Sequence, residues 1–265
     1  MRPANLPGLA FARIYAVASN TFREAVRDKV LYSILFFAVI LLLASLGLRE
    51  VALGDRDKVV RGVGLGGISV IGAIIAIFLG VGLVWKEIER KTIYTLASKP
   101  LPRWQILLGK YLGLWATLAA EVGILTVMYT LIIGYQQGMP GAGVYLAMGM
   151  LMLELTLVTA FATLFSTFAS PMSASAYTLC VYVIGHFADD LYTFGKASNN
   201  PAFQSFTLAM YRVVPNLGMF NVRTEAVHGM AIPGTEVMWA AVYALGYTAA
   251  VLAVAMAVFE RRDFK

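Results

Sequence analysis

The chain of 265 residues is 59% hydrophobic and only 14% charged, where a soluble domain carries roughly 45–50% and about 25%. A single water-facing core cannot hide that much apolar surface, which excludes an ordinary soluble domain and points to an all-α, multi-spanning membrane protein. The formal charge of +6 suits contact with membrane lipid if the basic residues gather on one side, and no feature calls for nucleic acid.

The first element expected is an amphipathic helix over Leu9 to Lys29. Phe11, Ile14, Ala18, Phe22 and Ala25 recur every three or four positions, with Arg13, Asn20, Glu24 and Arg27 on another face. An apolar face and a basic polar face suit a helix lying in the membrane interface. It lacks the apolar core of a signal peptide and is expected to stay in the mature protein. Residues 1–29 therefore form a cytoplasmic interfacial helix and residues 30–265 a transmembrane domain.

Six spans are expected. Val30 to Leu48 is free of charge and reaches about 30 Å as a helix, the thickness of the hydrocarbon core. After a mixed-charge loop, Gly62 to Trp85 forms the second span, with Gly72, Ala76 and Gly80 at four-residue intervals. That small-residue stripe admits close approach of another helix. Lys86 to Lys110 is polar and broken at Pro100 and Pro102. The third span is Tyr111 to Gly134 and the fourth Val144 to Ala169; Pro171 then marks a turn into the fifth, Met172 to Ala188. Val237 to Phe259 is the sixth. Between the last two, Asp189 to Glu236 mixes aromatics, prolines and apolar residues, so it predicts short outer helices that re-enter the bilayer. With both termini on one side, that side holds 14 of the 21 basic residues and the other holds 7, which places both termini in the cytoplasm. Trp85, Trp104 and Trp239 fall near span ends, as interfacial rings do.

Two carboxylates lie within these spans. Glu121 shares a stripe with Gly109, Gly113 and Thr117, and Glu154 sits midway along the fourth span. An ionised group in lipid costs at least about 2.5–3.5 kcal/mol, so each must face protein or water, be paired, or be protonated. Each could line a substrate or ion path or serve as a hydrogen bond between helices. Thr156, Thr159, Thr163, Ser166 or Thr167, and Ser170 also recur at helical spacing. They could line a polar path, but such hydroxyls more commonly bond their own helix backbone. His186, Asp189 and Asp190 read better as a solvated helix end than as a metal site, and His228 is a lone loop histidine. Cys180, the single cysteine, reads as a small buried hydrophobe. Gly67-Ile68-Ser69-Val70-Ile71 lacks the closing glycine of a nucleophile elbow, and no His-Glu-x-x-His occurs. No residues suggest catalysis or a metal.

The polar run from Trp85 to Pro100 is the most informative stretch. Ile88, Thr92, Ile93 and Leu96 can share one side of a short helix, with Glu89, Arg90 and Lys91 more exposed. Such a helix would offer a surface to a cytoplasmic partner, or merely anchor topology. The run Lys86-Glu87-Ile88-Glu89-Arg90-Lys91-Thr92-Ile93-Tyr94, then Ser98-Lys99-Pro100 and Leu107-Leu108-Gly109-Lys110-Tyr111-Leu112-Gly113, resembles the permease subunits of ABC-type exporters. Pro215-Asn216-Leu217, Phe220-Asn221 and Arg223-Thr224-Glu225-Ala226-Val227-His228-Gly229 resemble the branch that includes permeases for gliding motility and nitrous-oxide-reductase maturation. The resemblance implies a coupling helix that docks on an ATPase, carried here by Glu87, Ile88, Glu89, Arg90, Lys91, Thr92, Ile93 and Leu96. It also implies two copies of a separate ATPase subunit, a second permease subunit (identical or related), and an accessory periplasmic or membrane protein as a further partner. No cofactor is expected on this chain. Gly109-Lys110 is followed by Tyr111, and Trp104 stands where a P-loop needs its first glycine, so ATP and magnesium belong to the partner. Competing readings are an ion-coupled secondary transporter using Glu121 and Glu154, and a membrane anchor that moves nothing.

Overall fold

The computed structural model describes residues 7–51, 55–89 and 102–261, and among these there are helices and turns but no strand. The helices are α1 (Pro7–Val26), α2 (Lys29–Val51), α3 (Arg56–Glu89), α4 (Arg103–Gln137), α5 (Ala142–Ser166) and α6 (Pro171–His186). Then come α7 (Ala188–Ala197), α8 (Pro201–Val213), a single 3-10 turn at Gly218–Phe220, α9 (Arg223–His228) and α10 (Gly234–Arg261). Among the described residues, four segments are long and apolar enough to cross a membrane: Arg56–Gly82, Arg103–Tyr135, Ala142–Ser166 and Gly234–Arg261. In α2 the apolar stretch is Ile34–Ala44. α6 has 16 residues and spans about 24 Å.

Local chemistry sets the boundaries. Pro102 precedes the first turn of α4, so the helix begins as soon as the prolines end. The polar segment expected from Lys86 to Lys110 is therefore helical at both ends, through Glu89 and from Arg103. Ser170 caps α6, its side chain accepting from the Ser173 amide, with Pro171 in the first turn. Gly229 closes α9 in the left-handed conformation at φ 67°.

α5 is the central helix, packed by α3, α4, α6, α9 and α10. The small-residue stripe on α3 serves as expected. A Cβ on Gly72 would lie 3.0 Å from Leu155, and one on Gly80 would lie 2.7 Å from Ala162. Between them Ala76 is fully buried. Such contact relies on small side chains rather than on hydrophobic exclusion.

α1 has a closer embrace than an isolated interfacial helix. Ile14, Val17, Ala18 and Thr21 lie against Gly109 and Gly113 of α4. A Cβ on Gly113 would sit 2.6 Å from the Ala18 carbonyl oxygen, so only glycine permits this crossing. Along the apolar face read over Phe11 to Ala25, Ala25 is buried while Phe11 is exposed. Cys180 is exposed, contrary to the expected burial, because its side of α6 packs on no other described helix.

Between α6 and α10 the chain forms short helices, α7, α8 and α9. α7 and α8 pair closely where Gly195 meets Thr207, and α9 packs on α3 and α5. A Cβ on Gly143, in the first turn of α5, would lie 3.4 Å from the Ala226 Cα. α9 thus covers a part of α5 that the short α6 does not reach. The carbonyl end of α6 is satisfied by protein: the Leu217 amide donates to Gly185 O at 2.9 Å, and the Phe187 amide to Val183 O at 3.3 Å. Asn216 fixes the approach, its amide donating to Tyr243 Oη at 3.0 Å and its side chain to Asp189 at 2.9 Å.

Candidate functional site

The polar centre of the bundle forms where α6 stops. Glu154 on α5 is 2% exposed, and its Oε1 lies 3.5 Å from His186 Nε2 at the end of α6. One turn back on α6, the Tyr182 ring is 4.5 Å from that of His186. The Tyr182 hydroxyl interacts with both Glu154 and buried Ser69 of α3. His186 Nδ1 is 3.1 Å from Tyr182 O, which orients the ring towards Glu154. Arg223, at the start of α9, completes the group. Its charge acts on Glu154, Tyr182 and His186, and its Nη1 would lie 3.6 Å from a Cβ on Gly66. Asn221 Oδ1 accepts from Arg223 Nε at 2.7 Å and holds the side chain in place.

Four helices therefore bring a carboxylate, an imidazole, a phenol, a hydroxyl and a guanidinium together. In a low-dielectric interior such a group is rigid when satisfied and labile when a member is removed. Here Glu154 Oε1 and His186 Nε2 lack hydrogen-bond partners among the described residues. The cluster ties α9 to the middle of the bundle.

The solvated-end reading fails for His186, which turns inward, and fits Asp189 and Asp190, which are exposed. The inward turn was open to inference. Glu154 and His186 each stand 16 positions from Ser170, the turn of an antiparallel hairpin, and so share one depth. Tyr182 escaped notice because hydroxyls in spans are common, Ser69 was weighed only as a nucleophile elbow, and Arg223 stood only within a family motif.

Glu121 is separate. It is 4% exposed, and both carboxylate oxygens lack hydrogen-bond partners among the described residues. It lies two turns along α4 from Gly113, where α1 docks. Thr117, between them, donates to Gly113 O at 3.0 Å.

The α5 hydroxyls behave as backbone donors. Thr156 donates to Met152 O at 2.6 Å, Thr159 to Leu155 O at 2.7 Å and Thr163 to Thr159 O at 2.8 Å. Thr156 also accepts from Trp115 Nε1 at 2.9 Å, and Tyr111 donates to its carbonyl at 3.0 Å. These contacts join α4 to α5. Among the described residues no group of three or more His, Cys, Asp or Glu could hold a metal ion.

Of the expected coupling residues, Glu87, Ile88 and Glu89 end α3. Arg90, Lys91, Thr92, Ile93 and Leu96 lie outside the described residues. The long helices α3 and α4 flank that segment, with 34 and 35 residues. Each measures about 50 Å, well beyond the ~30 Å of hydrocarbon.

No curated protein is matched by the chain. A family model described as ABC-2 family transporter protein matches residues 15–264, nearly the whole sequence. The chain belongs to the ABC-2 transporter family and is a membrane permease component of an ABC transporter.

Proposed function

We propose that the chain is the permease of an ATP-driven exporter, crossing the prokaryotic inner membrane six times with both termini in the cytoplasm. Two permease subunits, identical or related, enclose the path, and two ATPase subunits bearing ATP and magnesium dock beneath them. Within the family, the branch of gliding-motility and nitrous-oxide-reductase-maturation permeases fits best, and an accessory protein belongs to the assembly.

The observation that carries this reading is the placement of the polar segment between α3 and α4, the longest helices, within a chain matched to the family over residues 15–264. A push on Glu87–Leu96 would act along both rods. α3 would pass it to α5 through Gly72 and Gly80, and α4 would pass it to α1 through Gly109 and Gly113. α1, lying in the interface, would act as a second lever. At the far side the outer helices re-enter the bilayer and close the path, held by the Arg223 and Glu154 cluster. Glu121 and Glu154 would then contact or gate cargo when the bundles rock. Thr156 and Thr163 would join the path only in a state that frees their hydroxyls.

Co-expression with candidate ATPases tests the reading. Retention of an ATPase, lost in Glu89→Lys/Arg90→Glu, supports it. A complex that hydrolyses no ATP overturns it.

A second reading draws on the buried Glu154–His186 pair, which would suit a proton-coupled carrier. Proton-driven flux in vesicles without ATP would favour that carrier.

A further inference from the structure

The junction of α1 and α2 holds a cleft of about 700 Å³, lined by Asn20, Arg23, Glu24, Arg27, Asp28 and Lys29. Arg23, Arg27 and Lys29 are exposed. Three cations against two carboxylates leave the cleft with one net positive charge. One phosphodiester would neutralise it, while Glu24 and Asp28 could accept hydrogen bonds from headgroup hydroxyls.

What lies beside the cleft distinguishes a lipid from a soluble phosphate. Lys29 opens α2, and Tyr32, Phe36, Ile40 and Leu43 follow it at three- and four-residue steps. These four are 55%, 63%, 44% and 51% exposed, a continuous apolar stripe running from the basic cleft. The neighbouring Phe37 is exposed as well. A polar cleft at the head of an apolar stripe has the shape of one phospholipid, headgroup above and acyl chains below.

We propose that the α1–α2 elbow is a binding site for an anionic glycerophospholipid of the phosphatidylglycerol type, its phosphate between Arg23, Arg27 and Lys29 and its chains along the Tyr32–Leu43 stripe. The site rests on the membrane assignment alone and is independent of the ATPase partnership. A bound lipid would brace α1 at the end away from Phe11. It would also make the position of α1 on α4 sensitive to lipid composition.

The test uses the full-length protein in nanodiscs and native mass spectrometry. Release from discs containing phosphatidylglycerol should leave one lipid retained per chain, and release from phosphatidylcholine discs should leave none. Arg23→Gln/Arg27→Gln should weaken retention about fivefold for each arginine removed. Arg23→Lys/Arg27→Lys should keep most of it, and matched melting curves would show that both variants fold. Glycerophosphoglycerol without acyl chains should not compete; competition would make this a soluble-phosphate site and overturn the assignment. Equal retention of the two lipids, or unchanged preference in the Gln variant, would also overturn it. So would disulfide crosslinking of two copies through Phe36→Cys in a Cys180→Ser background, since a protein would then cover the stripe. Failure of the ATPase pull-down would leave this result untouched.

Discussion

Glu154 Oε1 lies 3.5 Å from His186 Nε2, across a hairpin in which each residue stands 16 positions from Ser170. The contact places an acid–imidazole pair in the middle of a bundle packed largely by apolar side chains. Glu154→Leu should leave His186, Tyr182 and Arg223 facing an apolar wall and lower stability by about 1–3 kcal/mol. Melting in detergent measures this. Glu154→Gln keeps shape and acceptor and should cost less. A double-mutant cycle with His186→Leu should give a coupling of about 0.6–1.7 kcal/mol, the range for polar contacts between membrane helices. Zero coupling would mean that the two side chains do not interact.

Gly113 has the tightest contact with α1, where an added methyl would meet the Ala18 carbonyl at 2.6 Å. Gly113→Ala and Gly109→Ala should each loosen α1 at a cost of about 1–3 kcal/mol. Faster hydrogen exchange over α1, with α5 unchanged, would show it. Gly123→Ala is the control on the same helix, since an added Cβ there meets nothing within 4 Å. It should be neutral or stabilising by about 0.5–1 kcal/mol.

Gly185 governs the segment that follows α8. A Cβ there would lie 2.8 Å from both Leu217 Cγ and Pro215 O, beside the bond from the Leu217 amide to Gly185 O. Gly185→Ala should free Pro215–Phe220 and raise protease cleavage there while the main bundle keeps its melting temperature. An unaltered digest would show that this segment is held elsewhere.

The path role of the buried carboxylates has its own test. Glu121→Gln and Glu154→Gln should each lower transport at least tenfold in a reconstituted assay while the ATPase still co-purifies. Full transport by both would remove them from the path.

Much of the packing was legible because membrane helices meet through small residues. Gly72, Ala76 and Gly80 announced a close helix contact, and the structure supplies α5 as the partner. Gly109 and Gly113 carried the same information but were read chiefly as a family motif, so the docking of α1 was missed. The α5 hydroxyls also behaved as their chemistry suggests, each bonded within its own helix. His186 was misread because the polar residues after it, Asp189 and Asp190, look like a solvated end. Periodicity reports which face of a helix is polar, and not which neighbour lies opposite. Cys180 shows the reverse limit: an apolar run in a membrane helix does not imply burial in protein, since lipid accepts the same side chains.

The role of the segment after Trp85 is tested most directly by crosslinking from Thr92→Cys, in a Cys180→Ser background, within the native complex. An adduct with an ATP-hydrolysing subunit, and protection from impermeant thiol reagents added outside the cell, is the predicted result. Labelling of that cysteine from outside, with no ATPase attached, would contradict it.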